Sequence, residues 1–82
     1  MITLTKRQKN IIRYLLELED FIRIKNIALT FDVSERTLRY DLDIIEAYLK
    51  EIKGVLIRKP RMGIMIEDRD ELKNKLKMIH LL

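Results

Sequence analysis

The chain has 82 residues, 17 Lys and Arg against 13 Asp and Glu, and a net charge of +4, which bound it to one domain suited to an anionic partner. The absence of cysteine excludes a disulfide framework and a thiolate metal site, and 48% hydrophobic with 37% charged residues excludes a disordered tail. No apolar run approaches the roughly 18 residues of a membrane span, and no signal-peptide pattern opens the chain, so a cytoplasmic location without a membrane partner is expected.

Thr5-Lys6-Arg7-Gln8 has the form of a capping box and predicts a first helix from Lys6 to near Leu18. Ile11, Leu15 and Leu18 supply its buried face, and Ile12 and Leu16 widen it. Its start is basic, because residues 5–16 contain Lys6, Arg7, Lys9 and Arg13 and no acid. Phe21-Ile22-Arg23 is short and β-prone, a minor strand leading into a second helix. That helix, from Ile24 to Phe31, sets Ile24, Ile27 and Phe31 on one side and places the small Ala28 where a neighbour approaches. Only Asp32 and Val33 join it to the next helix. Helices so connected cross steeply, as in a helix-turn-helix. Asp32 stands where a positive φ is wanted, and Asp tolerates it better than most residues.

The third helix is predicted from Glu35 to about Lys50, with Ser34 as its cap and Gly54 as its C-terminal stop. Leu38, Leu42, Ile45 and Leu49 make one narrow apolar stripe. Arg36, Arg39, Tyr40 and Asp43 point away from it. Charges opposite an apolar stripe are the ordinary state of a surface helix. Two arginines and a tyrosine near the start of a helix that follows so short a turn also suit a probe of a nucleic-acid groove.

Two β-rich runs, residues 55–59 and 64–67, flank Pro60-Arg61-Met62-Gly63, which holds the only proline and one of two glycines. This is a hairpin. Placed after a helix-turn-helix it is a wing, with Arg58, Lys59 and Arg61 at its tip and no acid from 54 to 66. Such a tip reaches phosphates or a minor groove, or else it is a solvated loop whose charges protect an edge strand. Asp68-Arg69-Asp70-Glu71 opens a last helix, with Asp68 as cap and Glu71 in the reciprocal position. Leu72, Leu76, Ile79 and Leu82 line one side of it. The expected fold class is therefore α+β, mainly α, a winged helix-turn-helix with a three-helix core, a hairpin wing and a trailing helix. Residues 1–68 form the DNA-binding unit. Residues 69–82 form a helix that connects to further domains of a longer chain, packs within the domain or meets a second copy.

The segments Val33-Ser34-Glu35-Arg36-Thr37-Leu38-Arg39-Tyr40-Asp41-Leu42 and Leu56-Ile57-Arg58-Lys59-Pro60-Arg61-Met62-Gly63-Ile64 resemble the N-terminal DNA-binding domain of bacterial sugar-operon activators. These are regulators of the mannitol and lichenan operon type, which carry phosphotransferase-system regulation domains. The likeness runs from about Leu4 to Asp68. It implies binding to double-stranded operator DNA, a homodimer in the full-length protein, and contact with phosphotransferase-system proteins only through downstream domains. It places Arg36, Thr37, Arg39 and Tyr40 on the recognition helix and Lys59 and Arg61 on the wing. The sequence departs from the pattern at Asp32 in the turn and at Arg61-Met62, where the family's turn is often smaller. The lone His80 lies outside the matched segments and reads as a helix-surface residue.

On the DNA-binding reading, Ser34, Arg36, Thr37, Arg39, Tyr40 and Asp43 present the reading face. Arg36 or Arg39 holds guanine O6 and N7, and Thr37 and Tyr40 meet a phosphate or a thymine methyl. Lys6, Arg7, Arg58, Lys59 and Arg61 fix register on the backbone. A protein-interaction or dimerisation module is the alternative, with Ile44 and Tyr48 as its apolar patch. RNA binding as in antiterminators is a further one, set against five aromatics in all. One His, no Cys and no Gly-rich phosphate loop leave no nucleophile–base pair, no metal-ligand cluster and no cofactor motif.

Overall fold

The computed structural model describes residues 2–80, so the expected contribution of Leu82 lies outside the described residues. The elements run α1 (Lys6–Leu16), α2 (Ile24–Phe31), α3 (Glu35–Glu51), β1 (Leu56–Lys59), β2 (Gly63–Ile66) and α4 (Arg69–Met78). This is the expected winged helix-turn-helix, three helices followed by a hairpin and a trailing helix.

Each helix boundary has a local cause. The Gln8 amide donates to Thr5 Oγ1 at 3.1 Å and the Thr5 amide to Gln8 Oε1 at 2.9 Å, which closes the capping box that starts α1. The helix stops at Leu16, short of Leu18, because the amides of Glu17 and Leu18 turn to the carbonyls three residues back, both at 3.2 Å. Leu18 still packs against the core from that turn. α2 ends with Asp32 left-handed at φ 53°, and Val33 N–H returns to Ala28 O at 3.1 Å. α3 opens on Ser34, whose Oγ accepts from the Thr37 amide at 3.0 Å.

At the far end of α3 the left-handed residue is Lys53, φ 61°, not the expected Gly54. Gly54 closes the turn by donating to Leu49 O at 2.7 Å, and its smallness serves packing. A Cβ there would lie 3.1 Å from Leu72 Cδ1 and 3.3 Å from Leu49 O.

The hairpin pairs Leu56 with Ile66 and Lys59 with Gly63. Its turn has Pro60 second and Arg61 third, the latter at φ 69°, with Met62 N–H donating to Lys59 O at 3.2 Å. The minor strand expected at residues 21–23 contracts to one residue. Ile22 bridges Ile64 through two backbone bonds of 3.0 and 2.9 Å. Gly63 makes that approach possible. At φ 104°, a Cβ on it would fall 2.0 Å from Ile22 O.

The core is one cluster. Ile11, Ile12, Leu15 and Leu16 from α1 meet Ile27 and Ala28 from α2 and the Leu38–Leu42–Ile45–Leu49 stripe of α3. Leu56, Ile64 and Ile66 close it on the sheet side, while Leu72 and Leu76 of α4 are buried in it too. Tyr14 and Phe31 add an edge-to-face pair at 5.5 Å between α1 and α2. α4 is held further by Arg69 Nη1 donating to Leu16 O and Lys75 Nζ to Ile52 O, both at 3.3 Å.

Three expectations for this end of the chain are corrected. Asp68 is left-handed, φ 49° and ψ 54°, and its carboxylate makes no capping bond, because that backbone turns the side chain from the amides an extended cap would face. Ile79 is half exposed rather than lining the core, since α4 ends at Met78. His80 sits beyond the helix in a left-handed turn, φ 59°, and is exposed.

Candidate nucleic-acid interface

The start of α3 presents a polar face. Its apolar stripe is locked into the core, so Arg36, Arg39 and Tyr40 stand in solvent, Tyr40 at 64% exposure. Ser34 and Thr37 are tied locally, the Ser34 hydroxyl donating to Thr37 Oγ1 at 3.0 Å while accepting from its amide. Ser34 thus sets where the helix begins and Thr37 is half-buried against it. Arg39 leans toward Glu35 at 3.9 Å, a loose pair one turn apart that water screens.

The wing's three cations differ. Arg58 folds back onto α3, with Nη2 3.1 Å from Asp43 Oδ1 and 3.9 Å from Glu46 Oε1. Its first engagement is internal, and it accounts for Asp43, which is 70% exposed on its side chain but faces the wing as a partner of Arg58. Lys59 carries its ammonium 5.4 Å from the centre of the Phe21 ring, a cation–π contact with the segment before α2. Arg61 is exposed at the turn itself.

Between the starts of α2 and α3 and the wing lies a cleft of about 680 Å³. Arg23, Lys25, Arg39, Arg58, Lys59 and Arg61 line it with a single acid, Glu35. The sequence reading brought Arg39 and the wing together but missed Arg23 and Lys25. Its one available signal was the β-prone 21–23 segment, and nothing local says that this segment pairs with Ile64. That pairing is what carries Arg23 and Lys25 to the cleft.

At α1, Lys6 is exposed, while Arg7 is committed elsewhere. Its Nε–H donates to Asp41 Oδ2 at 2.7 Å and its Nη2 to Asp41 Oδ1 at 3.1 Å. Gln8 Nε2 donates to the same Oδ1 at 3.0 Å. Asp41 is wholly buried on α3, so this network clips the start of α1 to the middle of α3. Burial pushes the Asp41 carboxyl up, but the hydrogen bonds from Arg7 and Gln8 and the charge of Arg7 outweigh it and hold the group below its usual range. Arg7 was expected on DNA phosphates. The structure gives its guanidinium a buried partner, Asp41, to which the sequence pattern assigns no role.

The apolar patch of the interaction alternative is not present. Tyr48 is buried at 8% exposure and Ile44 is partly buried against the core. Among the described residues no group of three or more acids and histidines could hold a metal ion, and no helix is long and apolar enough to cross a membrane.

Two helices crossing through a left-handed turn, the second exposed at its start and flanked by a cationic hairpin, define a helix-turn-helix DNA-binding domain of the winged kind. The chain belongs to the HTH domain family, which it matches over residues 7–58, from α1 into the first strand of the wing. It is similar to the transcriptional regulator ManR of Bacillus subtilis (strain 168), with 39% identity over 67 residues. That alignment covers 79% of this chain and 10% of the regulator, so the chain spans about a tenth of that relative's length.

Proposed function

We propose that the chain is the N-terminal, sequence-specific double-stranded DNA-binding module of a bacterial transcription regulator serving a sugar-uptake operon. α3 enters the major groove, where Arg36 and Arg39 read base edges with Thr37 and Tyr40 beside them. Lys59 and Arg61 of the wing, with Lys6 on α1, hold the phosphate backbone. The full-length protein acts as a homodimer in the cytoplasm, and phosphotransferase-system proteins act on it through downstream domains. The observation that carries the reading is the open polar face of α3 lying across one cationic cleft from the wing. Similarity to a transcriptional regulator supports it.

Fluorescence anisotropy against DNA from upstream of the chain's own operon and against a scrambled duplex, at several salt concentrations, tests it. Arg39→Ala is expected to cost about 1–3 kcal/mol on the cognate duplex and less on the scrambled one. Lys59→Ala or Arg61→Ala should weaken both duplexes alike and make the salt dependence shallower by about 0.9 in log–log slope. Equal losses on both duplexes for Arg39→Ala would remove its reading role, and an unchanged slope would leave the wing a solvated loop.

A further inference from the structure

We infer that Arg23 and Lys25 complete a phosphate-binding cleft with the wing tip, gripping the backbone of one DNA strand beside the recognition helix. The inference rests on the DNA-binding reading and extends it to two residues outside both the recognition helix and the wing.

The cleft's cations fall into two sets. Arg39 and Arg58 already face carboxylates, Glu35 at 3.9 Å for the first, Asp43 at 3.1 Å and Glu46 at 3.9 Å for the second. Arg23, Lys25, Lys59 and Arg61 enter no ion pair among the described residues, and all four are exposed. Four such cations converge on one concavity from separate parts of the chain. Their mutual repulsion is a standing cost that an anion spanning the cleft relieves, and a concave wall focuses the attracting field.

The placement is also fixed rather than incidental. Ile22 is bonded to Ile64 on both sides of the bridge, and a Cβ on Gly63 would lie 2.8 Å from the Arg23 Cα. Arg23 is therefore seated against the base of the wing. Lys25 follows it in the first turn of α2. Backbone bonds thus hold the stretch that carries Arg23 and Lys25 beside the wing, and the four side chains line one cleft.

The chemistry selects backbone over bases. Neither Arg23 nor Lys25 lies on the helix that reads base edges, and an ammonium is a point charge that suits a phosphate oxygen rather than a two-point base pattern. A polyanion with several phosphates satisfies four cations spread around one cleft better than one free phosphate does.

The test is the double variant Arg23→Ala with Lys25→Ala in the 82-residue chain, titrated by anisotropy against cognate and scrambled duplexes across a salt series. The expected result is an equal loss on both duplexes and a log–log salt slope shallower by about 1.8, twice the roughly 0.9 that each lost phosphate contact contributes. Inorganic phosphate added at matched ionic strength should not displace either duplex. The pair Arg23→Gln with Lys25→Gln, which keeps polar stems and an unchanged melting curve by circular dichroism, must reproduce the slope. An unchanged slope, a loss confined to the cognate duplex, or displacement by inorganic phosphate each overturns the inference while leaving α3 as the reader. Absence of salt-dependent binding by the unmodified chain to either duplex overturns the DNA-binding reading itself.

Discussion

Replacing Arg7 with Ala separates a structural arginine from a phosphate contact. The guanidinium holds Asp41 through bonds of 2.7 and 3.1 Å, and among the described residues the only other donor to that carboxylate is Gln8 at 3.0 Å. Asp41 is fully buried, while the Arg7 side chain is 43% exposed. Breaking a fully buried pair from one side costs about 3–5 kcal/mol, because the remaining charge is stranded. Half of this pair already sees water, so the cost is discounted to about 2–3 kcal/mol. Asp41→Asn strands no charge and lets Arg7 turn to solvent, leaving a smaller loss of about 1–2 kcal/mol. The double variant should then be more stable than Arg7→Ala alone. Urea unfolding followed by far-ultraviolet circular dichroism reads these differences as midpoint shifts at constant slope. For a chain this size, holding about 4–12 kcal/mol in all, they are large. If Arg7→Ala stays within about 0.5 kcal/mol of the parent, or if Asp41→Asn fails to rescue it, the clip is not structural.

The same network fixes a pH signature. The folded Asp41 carboxyl lies below its ordinary value, so its stabilisation is complete above the unfolded value of about 3.9 and is lost as pH falls through the lower, folded one. Without Arg7 the main lowering causes vanish and burial dominates, which raises the carboxyl and reverses the sign. The gap in stability between the parent and Arg7→Ala should begin to narrow above about pH 4, as pH falls through the variant's raised value, and go on narrowing below it through the parent's lowered one.

Gly63→Ala should open the Ile22–Ile64 bridge, since its Cβ would meet Ile22 O at 2.0 Å and Ile22 C at 2.4 Å, backbone atoms that cannot swing aside. The expected cost is about 2–4 kcal/mol with loss of hydrogen-exchange protection at the Ile64 amide, and a protected Ile64 amide would contradict it. Asp32→Gly should raise stability by about 0.5 kcal/mol, because Asp32 sits at φ 53° where a Cβ is strained. A lower melting temperature in that variant would show that the Asp32 side chain contributes more than its backbone strain costs.

Much of the fold is legible in short stretches because its determinants are local. Thr5 and Gln8 cap α1 from within one turn, Ser34 caps α3, and the Leu38-to-Leu49 spacing states which face is buried. Asp32 is recognisable as the left-handed residue because it opens the short turn between two helices and Asp tolerates that backbone. The failures share a cause. Lys53, not Gly54, has the positive φ, while Gly54 lies in a tight approach to Leu72, a residue far along the chain. Asp68 has the composition of a cap but not the backbone for it. Asp41 carries no signal of burial until Arg7 and Gln8, over thirty residues away, are seen to reach it. The site divides the same way. The α3 face follows from periodicity, whereas Arg23, Lys25 and the inward turn of Arg58 depend on contacts across the fold.

A two-stranded hairpin is marginal by itself in water, so the order of this wing must come from elsewhere. Its base is held by backbone bonds between Ile22 and Ile64 and by the bare α-carbon of Gly63, none of which salt weakens. Its tip is held by Arg58 on Asp43 and Glu46 and by Lys59 on Phe21, exposed charged contacts that salt and competing phosphates weaken. The cleft between wing and recognition helix therefore has a fixed spacing and an adjustable rim. On the proposed DNA-binding reading, a duplex entering it would meet a hairpin whose base is already ordered, which would lower the cost of association. On the same reading Arg58 could exchange Asp43 and Glu46 for a phosphate oxygen without moving the strand that carries it. The proposed reading by α3 and grip by the wing would thus share one scaffold contact, the Ile22–Ile64 bridge at the base of the hairpin.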